Sequence, residues 1–171
     1  MIKAMGAMLL ISGAAFIGIS ASAALSARVR SLALFCRALE IMRSEIGEML
    51  TPLEAVLQKL GKIMPEPLSG FFSGCADEMR KRTDVPFGLI WKKELRKNEE
   101  LKLGARETEE LVALGSVLGR YSAEEQRISI ERTVRMLESV LSVAESDKRR
   151  LGGLYAKLGI ICGISVVIVF I

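Results

Sequence analysis

Any chemistry in this chain of 171 residues must begin from a short inventory. There are three pairs of adjacent carboxylates, Glu99-Glu100, Glu109-Glu110 and Glu124-Glu125, and three cysteines, Cys36, Cys75 and Cys162. Two carboxyls become an acid and a nucleophile in glycoside hydrolysis only when they face each other across a scissile bond. Sequence neighbours on a helix point in different directions, so these pairs read as solvated helix faces. No histidine is present, and the commonest acid–base side chain is therefore missing. The cysteines lack metal-ligand spacing, and their odd number does not suggest a disulfide framework. Free thiols fit a reducing cytoplasm. No glycine-rich loop precedes Lys-Ser or Lys-Thr, so the chain does not read as an ATPase in its own right. We expect no catalytic residue, metal or cofactor, and no enzyme.

Glu45 asks for a closer reading. It flanks an apolar seam at Leu39, Met42 and Ile46, where a carboxylate can pair with a facing helix. One reading is a salt bridge within the domain or a solvated flank, and the other is docking of a partner. Gln126 reads mainly as a helix-start residue. Gly159 and Gly163 form Gly-x-x-x-Gly in an apolar segment, and Ala14 with Gly18 gives a small-x-x-x-small face near the other end. Such spacing lets two helix backbones approach closely in lipid. It would serve packing within the chain or in a homo-oligomer.

The elements that must carry these residues follow from how charge is distributed. Half of the residues are hydrophobic and a quarter are charged. The two kinds are segregated. Residues 4–27 carry no charged side chain, and neither do residues 158–171. All 20 acids, and every base except Lys3, lie between Arg28 and Lys157. A bilayer core needs roughly 20 mostly apolar residues in a helix, so residues 4–27 and 151–171 are expected to be transmembrane helices flanking a domain at 28–150. A cleaved signal peptide competes for the first segment, with Ala21-Ser22-Ala23 as its cleavage site. The uncharged run exceeds the roughly 7–15 residues of a signal core, which favours an anchor. A buried core strand competes for the β-branched tail from Ile164, but in lipid the helix satisfies its own backbone.

Basic residues next to the spans set their orientation. Arg28, Arg30 and Arg37 follow the first, and Lys148, Arg149 and Arg150 precede the second. Both spans place the middle in the cytoplasm and both termini across the membrane. The net charge of +4 is thus a topology signal. Aromatics are 5% and the central bases alternate with Glu, which argues against nucleic-acid binding.

The middle reads as helices throughout. Leu32, Phe35, Leu39, Met42, Ile46 and Met49 recur at intervals of three and four, the period of a packed helix. That helix should stop near Leu50. Thr51-Pro52-Leu53-Glu54 offers a capped start for a second helix reaching about Ile63. A third is expected at 68–81. Thr83-Asp84-Val85-Pro86 then starts one that carries Trp91, and another spans about 106–118. Ser122-Ala123-Glu124-Glu125 is a second capping box, and its seam of Ile130, Val134, Leu137, Leu141 and Ala144 continues into Leu151, Tyr155 and Leu158. One helix of roughly 70 Å would link domain and bilayer, unless Gly152-Gly153 bends it. The expected fold is all-α: a helical bundle between two terminal transmembrane helices.

In order and spacing these landmarks resemble the stage III sporulation protein AB family. The matching residues are Leu39-x-x-Met42-x-x-Glu45-Ile46 with Thr51-Pro52-Leu53, then Leu114-Gly115-x-x-Leu118-Gly119 with Gln126, then Leu158-Gly159-x-x-x-Gly163-Ile164. Two positions depart from the pattern, Glu48 where the family has an aromatic and Ser122 where it has an acid. The resemblance implies a component of the multiprotein channel between mother cell and forespore. It also implies similarity to the inner-membrane platform proteins of type II secretion and type IV pilus machines. The implied partners are the stage III sporulation ATPase, other channel components of the same operon and the lipid bilayer, in the mother-cell membrane around the forespore. The alternative is a membrane-tethered signalling adaptor using the unbroken last helix as its path.

Overall fold

The computed structural model describes the backbone of residues 2–170 and the side chains of Ser20 and of residues 22–150. Six helices follow one another: α1 (Ile2–Gly47), α2 (Leu53–Ile63), α3 (Leu68–Lys81), α4 (Phe87–Lys97), α5 (Ala105–Val117) and α6 (Ala123–Phe170). A single 3-10 turn, Glu99–Leu101, joins α4 to α5. Among the described residues there is no strand. The all-α expectation holds, with boundaries within a few residues of those read from periodicity.

The chain divides into two units, residues 30–141 and residues 1–29 with 142–171. Among the described residues no helix is long and apolar enough to cross a membrane. The expected spans at 4–27 and 151–171 lie outside the described side chains, apart from the last few residues of the first. Ala14, Gly18, Gly159, Gly163 and Cys162 lie outside them too. The backbone of α6 is helical without a break through Gly152-Gly153.

The unit at 30–141 has a core that accounts for its helices. Leu32, Phe35, Leu39, Met42 and Ile46 of α1 are all buried, and Ile130, Val134 and Leu137 of α6 are buried too. The α1 seam ends one step earlier than expected. The helix stops at Gly47, and Met49 is 66% exposed. Leu50 takes a left-handed φ of 54°, reversing the chain into α2.

α2 packs on α3, α3 on α4 and α4 on α5. An aromatic cluster ties three of the helices. Phe35 of α1 meets Phe71 and Phe72 of α3 edge-on, and Trp91 of α4 meets Phe71 with centroids 4.8 Å apart. Edge-to-face pairs of this kind each contribute about 0.5–1.5 kcal/mol beyond burial. Trp91 is wholly buried, so its polar edge needs a partner. Its indole N–H donates to the Leu111 carbonyl at 2.7 Å.

Close approach at two helix pairs depends on small residues. A Cβ at Gly115 would lie 2.3 Å from Trp91 Cδ1, and one at Gly61 would lie 2.4 Å from Ser73 Oγ. Gly115 is therefore the slot that admits the indole between α4 and α5.

Candidate functional site

Two segments singled out in the sequence, Glu45 to Leu53 and Leu114 to Gln126, come together at one end of the bundle. Glu45 ends α1 as a buried carboxylate, 7% exposed. A buried charge needs hydrogen-bonded compensation, and it has two partners. Lys59 of α2 donates to Oε1, and the Thr51 hydroxyl donates to Oε2 at 2.9 Å. The Thr51 N–H also donates to the Glu45 carbonyl at 2.8 Å. The hydrogen bond from Lys59, then that from Thr51, holds the Glu45 carboxyl below the usual carboxylate range. The intradomain salt bridge is thus present, and both oxygens are engaged.

This arrangement corrects the expected cap at Thr51. α2 begins at Leu53 with Pro52, not Thr51, in the cap position and no side-chain cap, while the Thr51 hydroxyl donates to Glu45. Glu54 does not reach back either; it accepts from Gln58 at 3.0 Å and from Arg80 of α3 at 3.5 Å. The start at Thr83-Asp84 is likewise uncapped by a side chain, since α4 follows directly on Pro86. Sequence gave the position of both starts but not the hydrogen bonds. At Ser122 the expected capping box does form. The Ser122 N–H donates to Glu125 Oε2 at 3.1 Å, and the Glu125 N–H donates to the Ser122 hydroxyl at 3.3 Å.

Gln126 does more than start a helix. Its Oε1 accepts from the Gly119 N–H at 3.0 Å, and its Nε2 donates to the Tyr121 carbonyl at 2.8 Å. It clamps the loop between α5 and α6 by the backbone. Gly119 has φ of 73°, a conformation that disfavours any Cβ. A Cβ there would also sit 3.0 Å from Leu53 of α2. Gly119 thus joins the two segments: Leu53 packs against it from one side and Gln126 holds it from the other. The recurrence of Gly and Gln at these spacings was the available signal, but the spacing alone did not reveal the clamp.

Several other charged groups pair within the domain. Glu78 pairs with Lys93 at 3.0 Å, and Arg127 pairs with Glu124 at 2.7 Å and Glu131 at 3.4 Å. Cys36 and Cys75 are buried. Burial raises the Cys36 thiol to about 11 and raises Cys75 further from its ordinary value. Glu99, Glu100, Glu109, Glu124 and Glu125 are exposed. The two departures from the resembled pattern are both occupied locally. Glu48 accepts from the Ser44 hydroxyl at 3.0 Å, and Ser122 serves its capping box. Among the described residues no group of His, Cys, Asp and Glu has the arrangement of a metal site.

The family model described as Stage III sporulation protein AB matches residues 3–171. The chain belongs to the stage III sporulation protein AB family. Stage III sporulation protein AB of Bacillus subtilis (strain 168) is 25% identical to it over 169 residues, covering 98% of each chain. A solved structure of a stage III sporulation protein AB superposes with a TM-score of 0.66 at 28% identity, covering 72% of this chain and 98% of that one. Membership of the stage III sporulation protein AB family gives this chain a role in sporulation.

Proposed function

We propose that the chain is a membrane-anchored assembly component of the channel between mother cell and forespore, whose helical domain engages the ATPase of the complex from the mother-cell cytoplasm. The observation that carries this reading is the family match along residues 3–171. Physical support comes from the segregation of charge. Two uncharged ends with basic inner flanks have the length and charge asymmetry of transmembrane helices around a cytoplasmic domain. The small-residue faces at Ala14 and Gly18, and at Gly159 and Gly163, serve helix packing in the bilayer within the chain or in a homo-oligomer.

Glu45 acts in this reading by position. With both oxygens engaged by Lys59 and Thr51, it fixes the corner between α1 and α2 that a partner meets, rather than offering a free charge.

The test is made in sporulating cells. Deletion is expected to stop spore formation, and the tagged full chain is expected to co-purify with the sporulation ATPase. Labelling of single cysteines by a membrane-impermeant maleimide should place residues near 28 and 148 on the cytoplasmic side. Normal sporulation without the gene, or membrane-free recovery of the chain, overturns the proposal. Glu45→Gln should reduce ATPase co-purification, and an unchanged yield together with unchanged sporulation removes Glu45 from the docking role.

The signalling-adaptor reading draws support from one observation, the uninterrupted backbone of α6 through Gly152-Gly153. Family membership favours the assembly role.

A further inference from the structure

An apolar groove of about 460 Å³ lies between the start of α4 and the end of α5. Phe87, Leu89, Val112 and Leu118 contribute its apolar lining, and Lys92 and Arg120 contribute its charge. No carboxylate lines it. Leu89 stands 59% exposed at its mouth.

The charge is the informative part. Two other bases of α4 are neutralised inside the domain, Lys93 by Glu78 at 3.0 Å and Lys97 by Glu94 at 3.6 Å. Lys92 and Arg120 have no carboxylate partner among the described residues; Arg120 lies over the Tyr121 ring at 5.8 Å. An apolar cleft under two unneutralised cations is complementary to an apolar side chain flanked by carboxylates.

We propose that this groove docks an acidic, apolar-anchored segment of a partner protein, with the anchor between α4 and α5 and its flanking carboxylates on Lys92 and Arg120. The proposal rests on the reading of the chain as an assembly component, and it names the chemistry of one partner surface. Gly88 lines the groove, and a Cβ there would lie 3.1 Å from Ser116 Cα, so its lack of a side chain lets the start of α4 approach α5.

The experiment uses the full chain in sporulating cells, with p-benzoylphenylalanine placed at Leu89 or, as a control on α2, at Ile63, which is 52% exposed. After irradiation the adducts are sequenced. The Leu89 probe is expected to capture a partner segment in which Asp or Glu flank a large apolar residue. The double substitution Lys92→Glu, Arg120→Glu is expected to lower that adduct by about tenfold at unchanged protein level and unchanged Ile63 adducts. Reversing the acids of the captured segment to Lys should restore the adduct. Capture of a basic segment, a second copy of this chain or lipid overturns the proposal, as does a yield indifferent to charge reversal or no adduct above the Ile63 control. Loss of co-purification with every channel component would count against the assembly reading itself. Intact co-purification without the Leu89 adduct removes the groove alone.

Discussion

The Thr51 hydroxyl donates to Glu45 at 2.9 Å and accepts from no N–H of the helix it precedes. A residue whose sequence context reads as a cap instead closes a corner between two helices. Lys59 binds the other carboxylate oxygen, so one buried acid organises the end of α1, the turn and the middle of α2.

Acid titration should expose this corner. The folded Glu45 carboxyl titrates below its ordinary value of 4.5, so its contribution is fully present above that value. It is lost as pH falls from there through the folded pKa. Glu78, Glu124 and Glu125 are depressed in the same direction and contribute to the acid limb in both proteins. Glu45→Gln should therefore melt lower than the parent at neutral pH, and the gap should narrow as pH falls below 4.5 and the folded carboxyl takes up its proton. Melting curves across this range decide it, and a gap independent of pH contradicts the assignment.

Gly115→Ala should be costly for so small a change. The new methyl would meet the buried Trp91 ring at 2.3 Å, and overpacking of this kind costs about 1–3 kcal/mol. Chemical denaturation of the full chain, followed by far-ultraviolet circular dichroism, measures the loss. Combining it with Trp91→Phe should give less than the sum of the two penalties, because the smaller ring vacates the contested space. Additive penalties would show that the two sites are independent.

The loop between α5 and α6 should loosen when its clamp is removed. Gln126→Ala removes two hydrogen bonds to backbone, each contributing about 0.5–1.5 kcal/mol. Hydrogen exchange of the Gly119 amide is expected to accelerate while α2 amides keep their protection. Gly119→Ala should destabilise by about 1–2 kcal/mol through its left-handed φ. Unchanged exchange at Gly119 in the Gln126 variant refutes the clamp.

Ser122 and Thr83 should part company. Both precede helices and both look like caps in sequence, yet only Ser122 has the capping hydrogen bonds. Ser122→Ala should cost about 1 kcal/mol, whereas Thr83→Ala should leave the denaturation midpoint unchanged. Equal effects would contradict the structure.

Thiol reactivity should follow burial. Cys36 is raised to about 11 and Cys75 is raised more, so at pH 8 each is almost wholly protonated, and the thiolate is the reactive form. Native alkylation followed by mass spectrometry should find Cys36 slow and Cys75 slower, with both labelled at once in denaturant. Fast native labelling of Cys75 would mean that its helix pair opens readily.

How much of this was legible in the sequence depended on the range of the interaction. Helix period, helix starts and the segregation of charge are local patterns, set by neighbours within a turn or by runs of one residue type. They gave the all-α class, the order of the helices and the core faces of α1 and α6. The family pattern at Glu45, Gly115, Gly119 and Gln126 was visible as well, as spacing without meaning. Partners distant in sequence decided what those residues do. Lys59 lies in α2 and reaches Glu45 in α1, Trp91 meets Gly115 across α4 and α5, and Leu53 packs on Gly119 from far along the chain. α2 starts one residue late for Thr51 to cap it, and the Thr51 hydroxyl clasps the buried Glu45 carboxylate, a pairing that no local rule predicts. The sequence by itself determined a charged helical middle between two uncharged ends. Only the tertiary structure decided which polar groups are spent inside the domain and which, at Lys92 and Arg120, are left facing outward.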